Sequence, residues 1–548
     1  MPTITFSLKD LQQLAGRKIS PEQMHELAHY FKGEFQGYNK ATDEATVELD
    51  DTNLPYLWSV EGMARLLRGV FGAEKGIALL KTTKGPYEII VDESVKEIRP
   101  YIEGFVAKGR KIDEYLLKQL IQLQEKYCDS YGRRREKASI GMYSYRRIKF
   151  PLLYKAASPG SVKFPPLGYE REMTLAQIIE QHPKGKEYGK ALRNSKAYPI
   201  LTDSNNQVLS LIPIINSNSL GKLEPGDAEF FFEVTGTDAE ATRLATNIFA
   251  YALHERGFQI YSSTIRSGGK IKAVPDLTSE KLKISRQDVR NLLGLDLKDA
   301  EIRSLLEKAR YGFNNYTVEV PPYRADIMHP FDIIEDIAIM YGFDKITPLE
   351  LESYTTGKKA RMVDFVDITR EIAIGLGYQE LFSQILTSKA TLYDRMATPD
   401  PGTVEIENPM SENFSAVRTW LLPVLLEMLS KNKHADYPQK VFEQGLVTER
   451  KVEKITDHEK IALASCHNNA DYTEARQTAE HLMRQLGFEY KITETEHPAF
   501  IKGRVAALAI NKKTAGFFGE ISPEVLANWG LETPVCAVEI DLSELRHY

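Results

Sequence analysis

Cysteine is scarce in this chain of 548 residues, which contains three: Cys128, Cys466 and Cys536. They lie far apart, their number is odd, and no two of them form a Cys-x-x-Cys pair. This pattern argues against a disulfide framework and against a cysteine-based zinc site. We expect reduced thiols, as in a cytoplasmic protein.

Long apolar runs and an excess of positive charge are also missing. No segment approaches the roughly 18 apolar residues of a membrane-spanning helix. Residues 1–10 lack the basic start and apolar middle of a signal peptide. Lys and Arg number 70 against 76 Asp and Glu, a net charge of −6. A general nucleic-acid coat is therefore disfavoured, and any RNA contact must come from a local basic patch or from a partner.

The composition is that of a globular protein, with 42% hydrophobic and 27% charged residues. The length predicts about three to five domains. Among the motifs, the stretch Pro321–Phe343 is the most informative; it reads PPYRADIMHPFDIIEDIAIMYGF. Apolar residues recur at helical spacing from Pro330 until Gly342, which predicts a helix with proline in its first turn.

Acidic residues mark this predicted helix. Asp332, Glu335 and Asp336 stand at positions i, i+3 and i+4 and share one face, and Asp326 lies one short loop upstream. Four carboxylates without an obvious internal Lys or Arg would suit Mg²⁺. Alternatively, they form an acidic first turn that complements the helix dipole, and spacing alone favours this second interpretation.

The acidic residues follow the pattern Asp-x5-Asp-x2-Glu-Asp, between Pro-Pro-Tyr-Arg and Tyr-Gly-Phe. This motif resembles one in the beta subunit of phenylalanyl-tRNA synthetase. The resemblance implies that Asp326, Asp332, Glu335 and Asp336 hold Mg²⁺ at the contact with an alpha subunit. Other strings resemble the same family: DTNLPYLWSVEGMAR near the start, RPYIEGFVAKGR from Arg99, and IENPMSENFSAVRTW in the last third. HPKGKEY matches the archaeal and eukaryotic form. The resemblance therefore extends over nearly the whole chain.

This resemblance predicts a multidomain α+β protein with four parts. They are a mixed α/β N-terminal domain (1–84), a mixed α/β tRNA-editing domain (85–270), a winged-helix-like module with the magnesium site (271–347), and an antiparallel core similar to class II synthetases (354–548). We expect this core to be catalytically inert. Its strand KVFEQG and the segment FFGEISPEVLANWG lack the arginines that neutralise ATP phosphates in a working site.

The predicted editing domain contains a carboxylate in an apolar segment. Glu233 lies among Phe230, Phe231, Phe232 and Val234, where a carboxylate needs a partner. It would point the same way as Thr235, two residues along the strand. The resemblance implies that Leu201, Ser210, Glu233 and Thr235 line a pocket that recognises tyrosine. Alternatively, Glu233 is a surface residue of an edge strand.

A short basic run precedes this segment. Arg133, Arg134, Arg135 and Lys137 are the densest group of positive side chains in the chain. Most short charge runs are solvated loops, which is the interpretation that spacing favours. The alternative is a contact with an RNA backbone, for which exposed Arg and Lys are sufficient.

The main functional hypothesis is a beta subunit in an α2β2 phenylalanine–tRNA ligase of the cytoplasm. Alpha would attach phenylalanine to tRNA(Phe) using ATP, and this chain would hydrolyse mischarged Tyr-tRNA(Phe). A scaffold subunit that binds alpha and tRNA without editing is the first alternative. A freestanding Mg²⁺-dependent phosphotransfer enzyme is the second, and the lack of a Gly-rich phosphate loop beside the carboxylates argues against it.

Overall fold

The computed structural model describes residues 2–192, 195–350, 353–452, 454–511 and 513–545. The chain forms two compact units, Met1–Leu349 and Glu350–Tyr548. Within the described ranges, no helix combines the length and apolarity that crossing a membrane requires. The two units are described separately below.

The first unit begins with a three-stranded antiparallel sheet of order β1-β3-β2, packed with three helices. Ser59 caps the third helix by accepting a hydrogen bond from the Gly62 N–H. The elements are β1 (Thr3–Ser7), α1 (Leu8–Ala15), α2 (Pro21–Ala28), β2 (Gly33–Asn39), β3 (Glu44–Leu49) and α3 (Val60–Val70).

A ten-stranded mixed sheet follows, with helices packed against it. Its strand order is β12-β11-β10-β7-β4-β14-β5-β13-β6, and β15 pairs with β14. The elements are β4 (Thr83–Val91), β5 (Tyr101–Lys108), α4 (Glu114–Asp129), β6 (Ala138–Ser144), β7 (Leu152–Ala157), β8 (Lys163–Phe164), β9 (Met173–Thr174), α5 (Leu175–Gln181), α6 (Pro183–Tyr188), β10 (Tyr198–Thr202), β11 (Val208–Leu211), β12 (Ile215–Asn216), β13 (Glu229–Gly236), α7 (Ala239–Glu255), β14 (Gln259–Ser267) and β15 (Lys270–Val274).

Strand β13 separates two hydrophobic cores because its side chains alternate between the faces of the sheet. Phe230, Phe232 and Val234 pack in a core that also holds the inner face of α7. Phe231 packs in a different core, on the opposite face. The odd-numbered residues of β13, which include Glu233, therefore lie on the side away from α7.

The first unit ends with a smaller module around the three-stranded sheet β16-β18-β17. Ser285 and Asp288 form a capping box at the start of its first helix. The elements are β16 (Glu280–Lys283), α8 (Arg286–Leu293), α9 (Asp299–Lys308), β17 (Gly312–Asn314), β18 (Thr317–Val320) and α10 (Pro330–Tyr341). The helix predicted from Pro330 is confirmed.

The second unit is built on a seven-stranded sheet of order β19-β22-β23-β27-β26-β25-β24. All its pairs are antiparallel except β19 with β22. The elements are α11 (Arg361–Gly375), β19 (Gln379–Glu380), β20 (Leu386–Thr387), β21 (Ala416–Val417), α12 (Leu422–Lys431), β22 (Gln439–Lys451), β23 (Lys454–Cys466), α13 (Tyr472–Gln485), β24 (Lys491–Glu494), β25 (Phe500–Ile510), β26 (Lys513–Ile521), α14 (Pro523–Trp529), β27 (Val535–Asp541) and α15 (Leu542–Leu545).

The structure confirms the mixed α and β architecture with several sheets. Two local patterns do not form the structures that their sequences favour. The alternating string VEIEN (404–408) forms a single bridge between Glu405 and Ala416 instead of a strand. Thr237 and Glu240 have the spacing of a capping box, but the cap is Asp238, whose side chain accepts from the Ala241 N–H. The four domain boundaries and their names stay predictions.

Candidate functional site

Glu233 lies in the middle of a sheet. Strand β13 pairs with β5 on one side and β6 on the other, so the alternative of an exposed edge strand is wrong. The side chain is buried, with 3% of its surface exposed. Its two neighbours across the sheet are both glycines, Gly104 and Gly141. Because neither glycine has a side chain, space remains beside the carboxylate that larger residues would fill.

Gly141 is the more restrictive of the two glycines. A Cβ atom there would lie 2.5 Å from Glu233 Oε1 and would also collide with the Tyr143 hydroxyl. Because both neighbouring atoms are held in place by hydrogen bonds, no side chain fits at this position without displacing them. The glycine therefore makes the local arrangement of Glu233 and Tyr143 possible.

The carboxylate of Glu233 has one satisfied oxygen and one free oxygen. The Tyr143 hydroxyl donates to Oε1 over 2.9 Å. The Ser210 hydroxyl lies 3.0 Å from the same phenol oxygen and links the pair to β11. Among the described residues, Oε2 has no hydrogen-bond partner although it is buried. A buried acceptor of this kind costs free energy and is a place where a donor from a ligand would be stabilised.

Burial changes the ionisation of this cluster. It raises the pKa of Glu233 to about 7, against the opposing effects of the Tyr143 hydrogen bond and the positive charge of Arg99. Burial, together with the neighbouring carboxylate, raises the pKa of Tyr143 well above its ordinary value. At neutral pH the Tyr143 phenol therefore remains a hydrogen-bond donor. The carboxyl group of Glu233 is then present in both its protonated and its ionised form.

A second cluster of polar side chains surrounds Thr235 on the same face of β13. Its hydroxyl lies 3.0 Å from Ser139 Oγ and accepts from Arg99 Nε over 3.2 Å. Arg99 is buried and also donates to the Thr235 carbonyl over 2.7 Å and to the Glu136 carbonyl over 2.9 Å. Burial lowers the pKa of Arg99, but a guanidinium stays charged. A fixed positive charge thus lies beside the Thr235 hydroxyl.

A cavity of about 160 Å³ opens beside this cluster. Ser210 and Glu233 are the predicted pocket residues in its wall, and Ser139 lies there too. Thr235 is one hydrogen bond away through Ser139. Leu201 lies opposite Ser210 in the β10–β11 pair, where it is fully buried in the core. The remaining lining residues are Gln124, Arg135, Ile140, Leu167, Lys184, Leu211, Ile212, Pro213, Ile214, Ile215 and Asn216.

The basic run divides into two kinds of residue. Arg133 and Arg134 are exposed, whereas Lys137 pairs with Asp238 at 3.2 Å. Arg135 reaches the cavity, donates to the carbonyls of Pro213 and Ile214, and stacks on a tyrosine ring at 3.9 Å. The three arginines all have positive φ angles of 49°, 50° and 67°. Such strain in residues other than glycine is concentrated at functional sites.

Basic residues from the chain itself reach the four predicted magnesium ligands, contrary to expectation. Arg324 is buried, forks onto Asp326, and contacts Asp336 at 2.6 Å. Tyr311 donates to the same Asp336 oxygen over 2.6 Å. This arginine lies two residues before Asp326, so the sequence prediction of no internal basic partner is wrong.

The other two acidic residues also have partners. Glu335 pairs with Lys32 at 3.1 Å. One oxygen of Asp332 accepts from the N–H groups of Met328 and His329, each at 2.7 Å, as an acidic first turn should. Within the described ranges, no group of three or more His, Cys, Asp or Glu side chains could hold a metal ion. One Mg²⁺ bound by all four carboxylates does not fit this arrangement. The arrangement also gives no support to the alternative of a Mg²⁺-dependent phosphotransfer enzyme.

Several of these partners were missed in the sequence. Tyr143 lies 90 residues from Glu233, and Arg99 lies 136 residues from Thr235. Only the sheet pairing brings them together, so no local pattern identifies them. Arg324, by contrast, stands inside the PPYR motif and could have been weighed against the nearby aspartates.

Two family models match the chain. The first, described as the phenylalanyl tRNA synthetase beta chain CLM domain, matches residues 349–542. The second, described as the tRNA synthetase B5 domain, matches residues 282–343. Together they cover the second unit and the module that carries α10.

Full-length relatives agree with these matches. The phenylalanine–tRNA ligase beta subunits of Pyrococcus horikoshii and Thermococcus kodakarensis are 41% and 40% identical over 100% of this chain and 100% and 99% of their own. A crystal structure of an N-terminal fragment of the phenylalanyl-tRNA synthetase beta subunit from Pyrococcus horikoshii is 40% identical, with a TM-score of 0.60, over 62% of this chain and 99% of the fragment. The resemblance in the sequence motifs is thereby confirmed, and the chain belongs to the family of phenylalanine–tRNA ligase beta subunits.

Proposed function

We propose that this chain removes tyrosine wrongly attached to tRNA(Phe), using the cavity beside Glu233. It would do so as the beta subunit of a cytoplasmic α2β2 ligase in which alpha uses ATP to attach phenylalanine. The observation that carries the proposal is the buried Oε2 of Glu233, which has no partner among the described residues. Glu233 lines a cavity of about 160 Å³, which is smaller than the 300–1,000 Å³ of typical ligand pockets and suits a single side chain.

The need for such a site follows from the chemistry of the two amino acids. A hydrophobic pocket built for phenylalanine rejects an added hydroxyl only weakly, by about 100-fold. A second site can do better if it recognises the hydroxyl itself. The phenol of a tyrosyl ester would donate to Glu233 Oε2, which no residue described here satisfies. A hydrogen bond to a charged acceptor of this kind contributes about 1.5–3 kcal/mol.

The same acceptor would exclude the correct product. A phenylalanyl ester in the cavity would fill the space and keep water from Oε2 without offering a donor. The buried oxygen would then stay unpaired, which penalises binding of the wrong ligand. Discrimination would therefore come from a polar group that only tyrosine satisfies.

Hydrolysis requires water to attack the ester carbonyl, with the tRNA ribose hydroxyl as the leaving group. Among the described residues that line the cavity there is no histidine to act as a general base. The Thr235 hydroxyl is held by Arg99 and shared with Ser139. We propose that Thr235 orients the water, together with polar backbone groups and the tRNA hydroxyls, while the Arg99 charge favours the developing oxyanion.

Positive charge beside the cavity supports contact with the tRNA end. Arg135 and Lys184 contribute to the cavity wall, and Arg133 and Arg134 are exposed nearby in sequence. Neutralising phosphates requires little more than such exposed cations. These side chains would bind the RNA backbone while the attached amino acid enters the cavity.

A scaffold subunit without editing is the second candidate. One observation favours it: the chain's own Tyr143 phenol already donates to Glu233 Oε1. Glu233 would then serve to fix Tyr143 in the core, and the free oxygen would have no ligand. Deacylation assays separate these two candidates.

The test uses the complex with alpha and measures deacylation of Tyr-tRNA(Phe) and charging with phenylalanine. We expect Glu233→Gln and Glu233→Ala to lower kcat/KM for deacylation about ten- to hundredfold, because a charged acceptor is lost. Gly141→Ala should also slow deacylation, because the new methyl group would displace the carboxylate and phenol. Glu229→Gln, on the same strand but only partly buried, is the matched control and should behave as wild type.

Charging with phenylalanine should be unchanged in all four variants if, as we propose, alpha carries out the activation. A Glu233→Ala complex that clears Tyr-tRNA(Phe) at the wild-type rate would mean that the pocket lies elsewhere. The assignments of Leu201, Ser210 and Thr235 would then be withdrawn with it. Absence of deacylation by the wild-type complex would favour the scaffold.

A further inference from the structure

The second unit contains a larger cavity, of about 430 Å³, which the proposed editing site does not use. Its walls come from strands β22, β23, β26 and β27 and from the loops before β21 and β25. The volume falls within the usual range of about 300–1,000 Å³ for small-molecule sites. Pro399, Pro401 and Pro498 are exposed at its rim, whereas Trp420 and Glu539 are buried in its wall.

Three aromatic rings form one side of this cavity. His497 stacks on Phe517 with the ring centroids 4.9 Å apart, and Trp420 lies 5.6 Å from His497. The Trp420 indole donates to the Leu392 carbonyl over 3.2 Å, which fixes the orientation of its ring. Burial lowers the pKa of His497 to about 4, so this imidazole is neutral at physiological pH. The side is therefore an uncharged aromatic surface.

A single carboxylate lies next to this aromatic surface. Glu539 is 2% exposed, and its Oε2 accepts from the N–H groups of Leu421 and Leu422 at the start of α12, at 3.1 and 3.0 Å. Its Oε1 is buried and has no hydrogen-bond partner among the residues that the structure describes. Two hydrogen bonds thus hold the side chain in place, and its second oxygen is left without a donor.

The choice of a donor rests on the unpaired Glu539 oxygen and not on net charge, because Arg450, Lys451 and Lys460 line the cavity beside Glu449 and Glu539. Lys460 Nζ is 3.9 Å from Glu539 Oε1, beyond hydrogen-bond distance, and donates to Glu449 and to the Thr419 carbonyl, each over 3.2 Å. One ammonium is therefore shared between two carboxylates. An approaching cation is also attracted by the aromatic faces, which would repel an anion.

We propose that this cavity binds a small aromatic amine. Its ring packs against Trp420, His497 and Phe517, and its ammonium group donates to Glu539 Oε1. The amine supplies the one hydrogen bond that the buried oxygen lacks, and the ring fills the apolar part of the cavity. This site is independent of tRNA editing, since its residues all belong to the second unit.

The test measures binding of phenethylamine to the full chain by calorimetry and by the fluorescence of Trp420. Phenylacetate is the matched probe, because it carries a similar ring but a carboxylate in place of the amine. We expect phenethylamine to bind with quenching of Trp420 and phenylacetate to bind at least about tenfold more weakly, a difference of one hydrogen bond or ion pair. This comparison needs no variant, so it does not depend on a mutant that folds.

Variants locate the site. Glu539→Gln keeps a carbonyl oxygen for the Leu421 and Leu422 N–H groups but replaces the free oxygen, and it should weaken phenethylamine binding by about tenfold or more. Glu520→Gln, on β26 and paired with Arg504, is the control and should bind as wild type. Absence of binding at millimolar phenethylamine, equal binding of phenylacetate, or unchanged binding by a folded Glu539→Gln chain would each overturn the proposal.

Discussion

At the scale of single residues, Glu233 gains its chemical character from its surroundings. A glutamate at the surface is simply ionised at neutral pH. Here two glycines open the space, burial penalises the charge, and Tyr143 satisfies one oxygen of two. The remaining oxygen is buried without a partner among the described residues, and Glu233 lines a small cavity. These features make Glu233 an acceptor that a phenol can satisfy and a phenyl ring cannot.

The raised pKa of Glu233 predicts a pH-dependent stability. Folding raises this pKa from 4.5 to about 7, so between these values the native state holds a proton that the unfolded chain releases. The contribution of Glu233 to stability is therefore fully present below about pH 4.5 and is lost as the pH rises to about 7, on the order of 3 kcal/mol in total. Glu233→Gln removes this titration.

The measurement is the difference in Tm between wild type and Glu233→Gln at several pH values. We expect the variant to become more stable relative to wild type as the pH increases from about 5 to about 8. Glu229→Gln serves as the control and should show no such trend. A Glu233→Gln difference that stays constant over this range would show that the carboxylate has an ordinary pKa.

Some residue roles could be predicted from the sequence and others could not. Glu233 was identified because a carboxylate inside an apolar strand is unusual, and the structure agrees that it is buried. Tyr143 could not be identified, because it meets Glu233 only through the pairing of β6 with β13. Lys32 lies some 300 residues from its partner Glu335 in the chain, so the sequence does not reveal this pair. Arg324, by contrast, lies close enough to Asp326 in the sequence to be considered as its partner.

At the scale of elements, α10 is positioned by charges that the chain supplies itself. Arg324 binds Asp326 and Asp336, and its guanidinium also lies over the rings of Tyr56 and Tyr311, at 5.4 and 5.0 Å. Burial alone would lower the pKa of Arg324, but the charges of Asp336 and the other neighbouring acidic groups outweigh it and raise this pKa well above the usual value. The buried charges are thus compensated by this arginine within the chain.

This arrangement predicts the effect of removing Arg324. Arg324→Met would leave two buried aspartates without their partner and should cost about 3–5 kcal/mol of stability. Lys32→Met is the matched control; its partner Glu335 is half exposed, so the cost should stay below about 1 kcal/mol. Thermal unfolding of the full chain measures both.

The same experiment tests the role of magnesium. We expect the Tm of the wild-type chain to be the same in EDTA and in millimolar Mg²⁺, because Arg324 and Lys32 already neutralise the carboxylates. A rise in Tm with Mg²⁺ that Asp332→Asn abolishes would contradict this expectation. It would instead support the ligand set that the sequence motif implied.

Elements with strong periodicity were predicted well. The predicted strand KVFEQG lies within β22, and the helix predicted from Pro330 is α10. The string VEIEN alternates in the same way but forms a single bridge. An alternating segment forms no strand unless a neighbouring strand is long enough to pair with it. The sequence does not reveal which segments become neighbours in the fold.

At the scale of the whole molecule, the second unit is built on a largely antiparallel sheet. Arg418 is buried near the centre of this unit, but it pairs with the buried Glu443 and donates to the Leu446 carbonyl over 2.9 Å. The Arg418 guanidinium cannot neutralise a pyrophosphate without breaking its buried ion pair with Glu443. The expectation of an inert core therefore remains a prediction, with this pairing in its support.

We predict that the chain alone makes no phenylalanyl-adenylate. The assay is phenylalanine-dependent exchange of pyrophosphate into ATP, with the complex containing alpha as the positive control. The isolated chain should give the rate of a blank without enzyme. Exchange by the chain free of alpha would show that the core binds ATP phosphates by other residues.

In the proposed editing site, Glu233 Oε2 receives the phenol of a tyrosyl ester in the cavity between β6, β11 and β13. The most direct test is a crystal structure of the protein with a non-hydrolysable tyrosyl-adenosine. We predict the ligand phenol oxygen within about 3 Å of Glu233 Oε2, with the adenosine toward Arg135 and Lys184. A ligand bound elsewhere, or one whose phenol turns away from Glu233, would contradict the account.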